Sequence, residues 1–161
     1  MLLLIGGGLA FIYSGTYDVA ASVPENPVFS WILDTTMRNS VSKHAASVPQ
    51  PPPLDNPQMV EAGAGHYHEN CQICHGGPGV ERSELAQGLQ PLAPDLAKLG
   101  QERTPRELFW VAKHGIKATA MPAGDRCLPT QIARSVAAAV RRDPQGAPPP
   151  RGGRAAIRSR R

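Results

Sequence analysis

The chain has 161 residues, enough for one domain with extensions. It holds 17 prolines and 16 glycines but few aromatic residues, which argues against a packed core spread over the whole length. The net charge of +4 arises in the tail, because residues 141–161 contain seven arginines and one acidic residue, Asp143. The basic charge therefore describes a tail and argues against a nucleic-acid-binding domain.

Residues 1–17 are predicted to form a hydrophobic anchor or signal segment. They carry no ionisable side chain other than tyrosines, and their length is close to the minimum of about 17 residues for a membrane-spanning helix. The small residues of Val19–Ala21 would allow cleavage before Ser22. We favour an uncleaved anchor that holds the chain on the periplasmic side of a bacterial inner membrane. A secreted, soluble periplasmic protein is the alternative.

Residues 18–56 are predicted to contain an amphipathic helix and a linker. Asn26 is a suitable N-cap before a proline at the first helical position. A helix over about residues 27–45 follows from apolar residues that recur at helical spacing: Phe29, Ile32, Leu33, Met37 and Val41. This helix could lie on a membrane, pack on the rest of the protein or contact a partner subunit. The five prolines of residues 48–57 predict a semi-extended linker.

Residues 57–142 are predicted to form a small all-α domain. A first helix begins at Pro57 and runs to about residue 70. Thr104, Pro105 and Glu107 give a clear start to another helix, with a threonine cap, a proline at the first position and a glutamate at the third.

The rest of this predicted domain has weaker signals. Residues 80–103 are expected to be loop-rich, with a short turn at 95–99, and residues 131–142 could form a last helix. The prolines interrupt every stretch that could have the sequence pattern of a β-strand. Residues 143–161 are expected to be a disordered basic tail.

The motif Cys71–His75 carries the chemistry, because C-x-x-C-H is the attachment site for a c-type haem. The two thiols form thioether bonds to the haem, and His75 can supply the first axial nitrogen to its iron. A thioredoxin-like redox pair usually lies in a βαβ context, which the sequence does not show. A zinc site needs four ligands, and the remaining thiol, Cys127, stands alone. The sequence therefore predicts one covalent haem c.

The sixth iron ligand is predicted to be Met121, the only methionine after the motif. Pro122 follows it and stiffens the loop. Ligation by Met and His raises the reduction potential, which suits an electron carrier. His114 is the main rival ligand, and Lys113 and Lys117 are weaker ones.

Residues 57–123 resemble the class I cytochrome c family: a helix, C-x-x-C-H, a proline loop, a second helix and a Met-Pro loop follow in the family's order. The family has a glycine and an aromatic residue eight and four positions before the first cysteine, and Gly63 and Tyr67 stand there. The resemblance implies a small helical domain wrapped around the haem. It also implies that Pro94 accepts the imidazole N–H of His75, with Pro91 as the alternative.

The segment 105–117, followed by Met-Pro-Ala, looks like membrane-anchored bacterial monohaem cytochromes. This resemblance implies an electron-transfer protein rather than an enzyme. It implies redox partners such as a dehydrogenase, a quinol-oxidising complex or a terminal oxidase. Three lysines could belong to a docking face for an acidic partner, although we favour their interpretation as ordinary solvated surface residues: Lys98, Lys113 and Lys117. The alternatives are a haem subunit of a dehydrogenase complex and a ligand-binding or sensor module with an open sixth site.

The resemblance is expected to end after Ala123. Residues 124–161 are rich in arginine, alanine, proline and glycine. This composition is expected when GC-rich DNA is read out of frame, so we hypothesise a frameshift there. Sequencing the genomic DNA tests this hypothesis. The tail also lacks the aromatic residues that would face Gly63 and Tyr67. A weaker contact is expected instead from Ile132, Val136 and Val140.

Overall fold

A computed structural model describes residues 1–49, 57–77, 79–124, 136, 137 and 140. Seven helices lie in the described part of the chain: α1 (Leu2–Ser14), α2 (Pro27–Ala46), α3 (Pro57–Asn70), α4 (Gln72–His75), α5 (Glu84–Gln87), α6 (Leu96–Glu102) and α7 (Pro105–His114). These described residues contain no strand and only an isolated bridge between Gly77 and Val80. The predicted all-α fold is confirmed. Cys127 and most of residues 131–142 lie outside the described residues.

The predicted starts of α2 and α7 are confirmed. The Asn26 side chain accepts a 2.9 Å hydrogen bond from the Val28 backbone N–H, and a proline follows at the first helical position. At α7, the Thr104 side chain accepts from the Glu107 backbone N–H at 3.3 Å, and the Glu107 carboxylate accepts from the Thr104 N–H at 2.9 Å. This reciprocal capping box satisfies two backbone donors that would otherwise lack partners at the helix start.

Residues 80–103 are more helical than the sequence predicted. Ser83 caps α5, because its hydroxyl accepts from the Ala86 N–H at 3.2 Å. The predicted turn at 95–99 was too short. Helical hydrogen bonds run from Leu99 N–H to the Asp95 carbonyl at 3.1 Å and from Arg103 N–H to the Leu99 carbonyl at 3.0 Å, so α6 extends to Glu102.

The core lies between α7 and the described residues near the C-terminus. Leu108 and Phe109 of α7 pack with Val136, Ala137 and Val140, and all five are buried. The backbone of α6 also lies close to the backbone at Val140. A Cβ at Gly100 of α6 would lie 2.6 Å from the Val140 carbonyl oxygen. Partly buried side chains complete the cluster: Val48, Tyr67, Cys71, Leu96 and Ala112. The predicted contact of Val136 and Val140 with this domain is therefore present, and Ile132 lies outside the described residues.

Only the C-terminal half of α2 packs on the domain. Val41 and Ala45 are buried, and the His44 ring stacks on Trp110 of α7 with a centroid distance of 5.8 Å. The first half of α2 does not pack on the domain, and Phe29, Ile32 and Leu33 there are exposed. The lengths of the two helices explain this partial contact. Since a helix rises about 1.5 Å per residue, the 10 residues of α7 can cover only about half of the 20 residues of α2.

The α1 helix consists of exposed, mainly apolar residues. It has 13 residues, fewer than the predicted segment 1–17. In the described part of the chain, no helix is long and apolar enough to span a membrane.

Candidate functional site

The C-x-x-C-H motif forms a single helical turn at the junction of α3 and α4. The Cys71 N–H donates to the Tyr67 carbonyl at 2.9 Å, so the backbone path of α3 continues into the motif. The N–H groups of Cys74 and His75 donate to the Cys71 carbonyl at 3.1 and 3.0 Å. Both cysteines are half-buried free thiols. One helical turn therefore carries both thiols and the imidazole.

Burial favours the neutral thiol at Cys71. It raises the pKa of Cys71 to about 11, with a smaller contribution from Cys74. The thiol is therefore protonated at neutral pH. Cys71 also packs against the Leu108–Phe109 cluster, which ties the start of the motif to the core.

The chain turns back directly after His75. Gly76 ends α4 with φ of 69°, a backbone conformation that favours glycine. The Tyr67 hydroxyl donates to the Gly76 carbonyl at 2.7 Å, which connects α3 to this turn. Further on, the Ser83 N–H donates to the Ile73 carbonyl at 3.1 Å. The loop that follows the motif is thus held against the motif itself.

His75 is oriented by Pro94. The Nδ1 atom of His75 lies 2.9 Å from the Pro94 carbonyl oxygen. Because a carbonyl oxygen can only accept, Nδ1 carries the proton, and the lone pair of the neutral ring is on Nε2. Burial lowers the pKa of His75, although the bond to Pro94 opposes this effect. A neutral imidazole is the form that binds metals.

Met121 lies in a loop closed by backbone hydrogen bonds. The Ile116 N–H donates to the Met121 carbonyl at 3.2 Å. The Thr119 hydroxyl donates to the Ile116 carbonyl at 2.8 Å and accepts from the Met121 N–H at 3.1 Å. Met121 itself is half-buried. These bonds fix the backbone of the residue predicted to be the sixth ligand.

The rival ligands have other surroundings. His114 is exposed, and its ring lies 5.1 Å from the Trp110 ring, centroid to centroid. Lys117 is exposed and Lys113 is half-buried. Among the described residues, no three His, Cys, Asp or Glu side chains form a group that could hold a metal ion.

Two features of the site were missed by the sequence reasoning. The close approach of Gly115 to Pro122 was not predicted, although a Cβ at Gly115 would lie 2.5 Å from the Pro122 carbonyl oxygen. Arg82 carried no motif, yet its Nε atom is buried and has no hydrogen-bond partner within the described residues. The sequence did offer a signal for the first feature, a glycine six residues before the candidate ligand Met121. It offered no signal for the burial of Arg82.

The side chains fit the requirements of a covalent haem. Two free thiols, a neutral imidazole with an available Nε2 and a thioether sulfur are the donor set of a Met/His c-type haem. When bound, haem supplies an iron that takes up and releases one electron.

Comparison with known proteins agrees with this chemistry. The family model described as cytochrome c oxidase, cbb3-type, subunit III, matches residues 58–138, slightly more than half of the chain. The match continues past Ala123, where we expected the resemblance to end, and the frameshift stays a prediction. No curated protein and no solved structure matches the chain. The chain therefore belongs to the cytochrome c oxidase, cbb3-type, subunit III family and is a c-type cytochrome, an electron carrier with covalently bound haem c.

Proposed function

We propose that this protein is a one-electron carrier in which Cys71 and Cys74 hold the haem while His75 and Met121 ligate its iron. The observation that carries the proposal is the 2.9 Å contact between His75 Nδ1 and the Pro94 carbonyl oxygen. Such a bond fixes the ring and makes the imidazole a stronger donor through its other nitrogen. Pro94, rather than Pro91, accepts this bond.

The closed loop from Ile116 to Met121 supports the assignment of Met121. A ligand that must stay bound in both oxidation states benefits from a rigid backbone, because little structure then has to rearrange on electron transfer. The exposed position of His114 beside Trp110 makes it a weaker candidate than Met121. The protein performs no substrate chemistry of its own in this proposal.

The proposed location is the periplasmic side of a bacterial inner membrane. The exposed apolar residues of α1 support attachment through the N-terminus. We further propose the division into residues 1–17 as anchor, 18–56 as helix and linker, 57–142 as haem domain and 143–161 as tail.

The proposed partners are a dehydrogenase, a quinol-oxidising complex or a terminal oxidase. Lys98 and Lys117 are exposed and Lys113 is half-buried, so these three could contribute to a face for an acidic partner. Complementary charge of this kind mainly increases the association rate and depends on salt.

A second candidate function is that of a haem subunit within a membrane-bound redox complex. Val28 and Trp31 at the start of α2 are 65% and 67% exposed, although both are large and apolar. Helix surfaces of this kind commonly contact another protein or a membrane. The full chain purified in mild detergent would then elute with a second redox protein, and a Trp31→Glu variant would lose it.

The visible spectrum of the oxidised and reduced holoprotein tests the main proposal. After expression with a c-haem maturation system, we expect a sharp low-spin reduced spectrum and the weak far-red band of a methionine–ferric iron bond. Haem staining on a denaturing gel shows that the attachment is covalent. A covalent haem without the far-red band would contradict the assignment of Met121.

A further inference from the structure

The turn after His75 brings one cationic side chain back against the haem motif. A Cβ at Gly76 would lie 3.0 Å from the Val80 carbonyl oxygen and 3.6 Å from Cγ of Arg82. The 3.1 Å bond from the Ser83 N–H to the Ile73 carbonyl holds the chain at this point. The Arg82 side chain therefore lies on Gly76, the residue next to His75.

One polar atom of this arginine is buried without a partner. Its Nε atom is buried without a hydrogen-bond partner, and Arg82 takes part in no ion pair within the described ranges. A guanidinium stays protonated at any physiological pH. Arg82 as a whole is half-buried, and salt screens a partly buried charge less than a fully exposed one.

Two groups of the site lie near this side chain. His75 directly precedes Gly76, on which the Arg82 side chain packs. The Tyr67 hydroxyl donates to the Gly76 carbonyl at 2.7 Å. Arg82 therefore places a positive charge beside the residue that we propose as the iron ligand.

We propose that Arg82, whose side chain packs on Gly76 beside His75, is a positioning residue for electron transfer and that its positive charge raises the reduction potential of the haem iron. Oxidation adds one positive charge to the iron centre, and a fixed cation nearby disfavours that charge. Reduction adds one electron and forms or breaks no bond. This inference rests on the proposed function, because it requires His75 to ligate the iron.

Three holoprotein variants test the inference by spectroelectrochemical measurement of the midpoint potential. Arg82→Met removes the charge and keeps most of the side-chain length, whereas Arg82→Lys keeps the charge. Arg38→Met is the matched control, since Arg38 is an exposed arginine that pairs with Asp34 on α2. It removes one charge from the protein without touching the site.

We expect Arg82→Met to make reduction about tenfold less favourable, which corresponds to about 59 mV for a one-electron couple. Arg82→Lys should retain most of the parent potential, and Arg38→Met should leave it unchanged. Most of the difference between the parent and Arg82→Met should persist in high salt, because the Arg82 side chain is partly buried against the haem motif. Arg82→Gln serves as the neutral variant if Arg82→Met does not mature.

An unchanged or higher potential in the neutral variant would overturn the inference. An equal decrease in Arg82→Met and Arg82→Lys would also overturn it, because the side chain would then act through packing and not through charge. A parent spectrum without the methionine band would contradict the proposed Met121 ligation instead. The two failures are therefore distinguishable.

Discussion

Gly115 and Pro122 are in backbone contact across the loop that bears Met121. A Cβ at Gly115 would lie 2.5 Å from the Pro122 carbonyl oxygen and 2.7 Å from the Ala123 nitrogen. The φ angle of Gly115 is 64°, which disfavours any other residue. The end of α7 thereby determines the position of the residue that directly follows Met121.

A Gly115→Ala substitution should displace the Met121 loop. The added methyl group requires the Pro122 backbone to move, and alanine at this φ adds strain of about 1–3 kcal/mol. We expect the oxidised holoprotein to lose most of its far-red methionine band while its haem stays covalently attached. Visible spectroscopy and haem staining measure the two properties separately.

Gly88→Ala is the control for this experiment. A Cβ at Gly88 would meet only the Leu85 carbonyl oxygen, at an ordinary distance of 3.6 Å, and φ there is −86°. This variant should keep the methionine band. If Gly115→Ala keeps the band as fully as Gly88→Ala does, the contact with Pro122 does not control the position of Met121.

A Met121→Leu substitution separates ligation from packing. Leucine has a similar volume, and such an exchange in a core usually costs less than about 1.5 kcal/mol. Leucine cannot ligate iron, so we expect a high-spin ferrous spectrum and rapid binding of carbon monoxide. Met37→Leu, at a half-buried position on α2, should leave both properties of the parent unchanged. A parent protein that already binds carbon monoxide as fast as Met121→Leu would instead indicate an open sixth site.

Local sequence signals predicted the helix starts of this fold because they act over a few residues. The Asn26 cap and the Thr104–Glu107 capping box depend only on neighbours along the chain, and both are present. The turn of Cys71–His75 is local for the same reason. The contact of His75 with Pro94 joins residues 19 positions apart, and only the family resemblance suggested it.

Features that depend on the meeting of distant segments could not be predicted. The periodicity of α2 gave no indication that α7 covers only its second half, because the length of the partner helix is not encoded in α2. The isolation of the Arg82 Nε atom depends on the path of the chain after Gly76. A single arginine in a loop carries no sign of that path.

A Thr104→Ala substitution should destabilise the haem domain. It removes the side-chain acceptor of the Glu107 N–H at the start of α7, the helix that contributes Leu108 and Phe109 to the core. Loss of such a cap costs about 0.5–2 kcal/mol. Denaturant unfolding followed by haem absorbance measures the change, and Thr104→Ser should retain most of the parent stability. Equal stabilities of Thr104→Ala and Thr104→Ser would contradict a role for the cap.

The hydrogen bond from Tyr67 to the Gly76 carbonyl should make stability depend on alkaline pH. Burial raises the pKa of Tyr67 from 10.0 to about 12 in the folded protein. The folded state therefore prefers the neutral phenol, whose contribution to the free energy of unfolding is complete below pH 10 and is lost as the pH rises towards 12.

Tyr67→Phe keeps the ring in the core and removes the hydroxyl. At pH 8 we expect this variant to be less stable than the parent by about 0.5–1.5 kcal/mol, the usual net value of one hydrogen bond. The difference should shrink between pH 10 and pH 12, because the parent alone loses the contribution of its neutral phenol. Denaturant unfolding of the reduced holoprotein across this range measures it, with Tyr13→Phe on the exposed α1 as the control. A difference that stays constant over the whole range would show that the Tyr67 hydroxyl does not titrate with the fold.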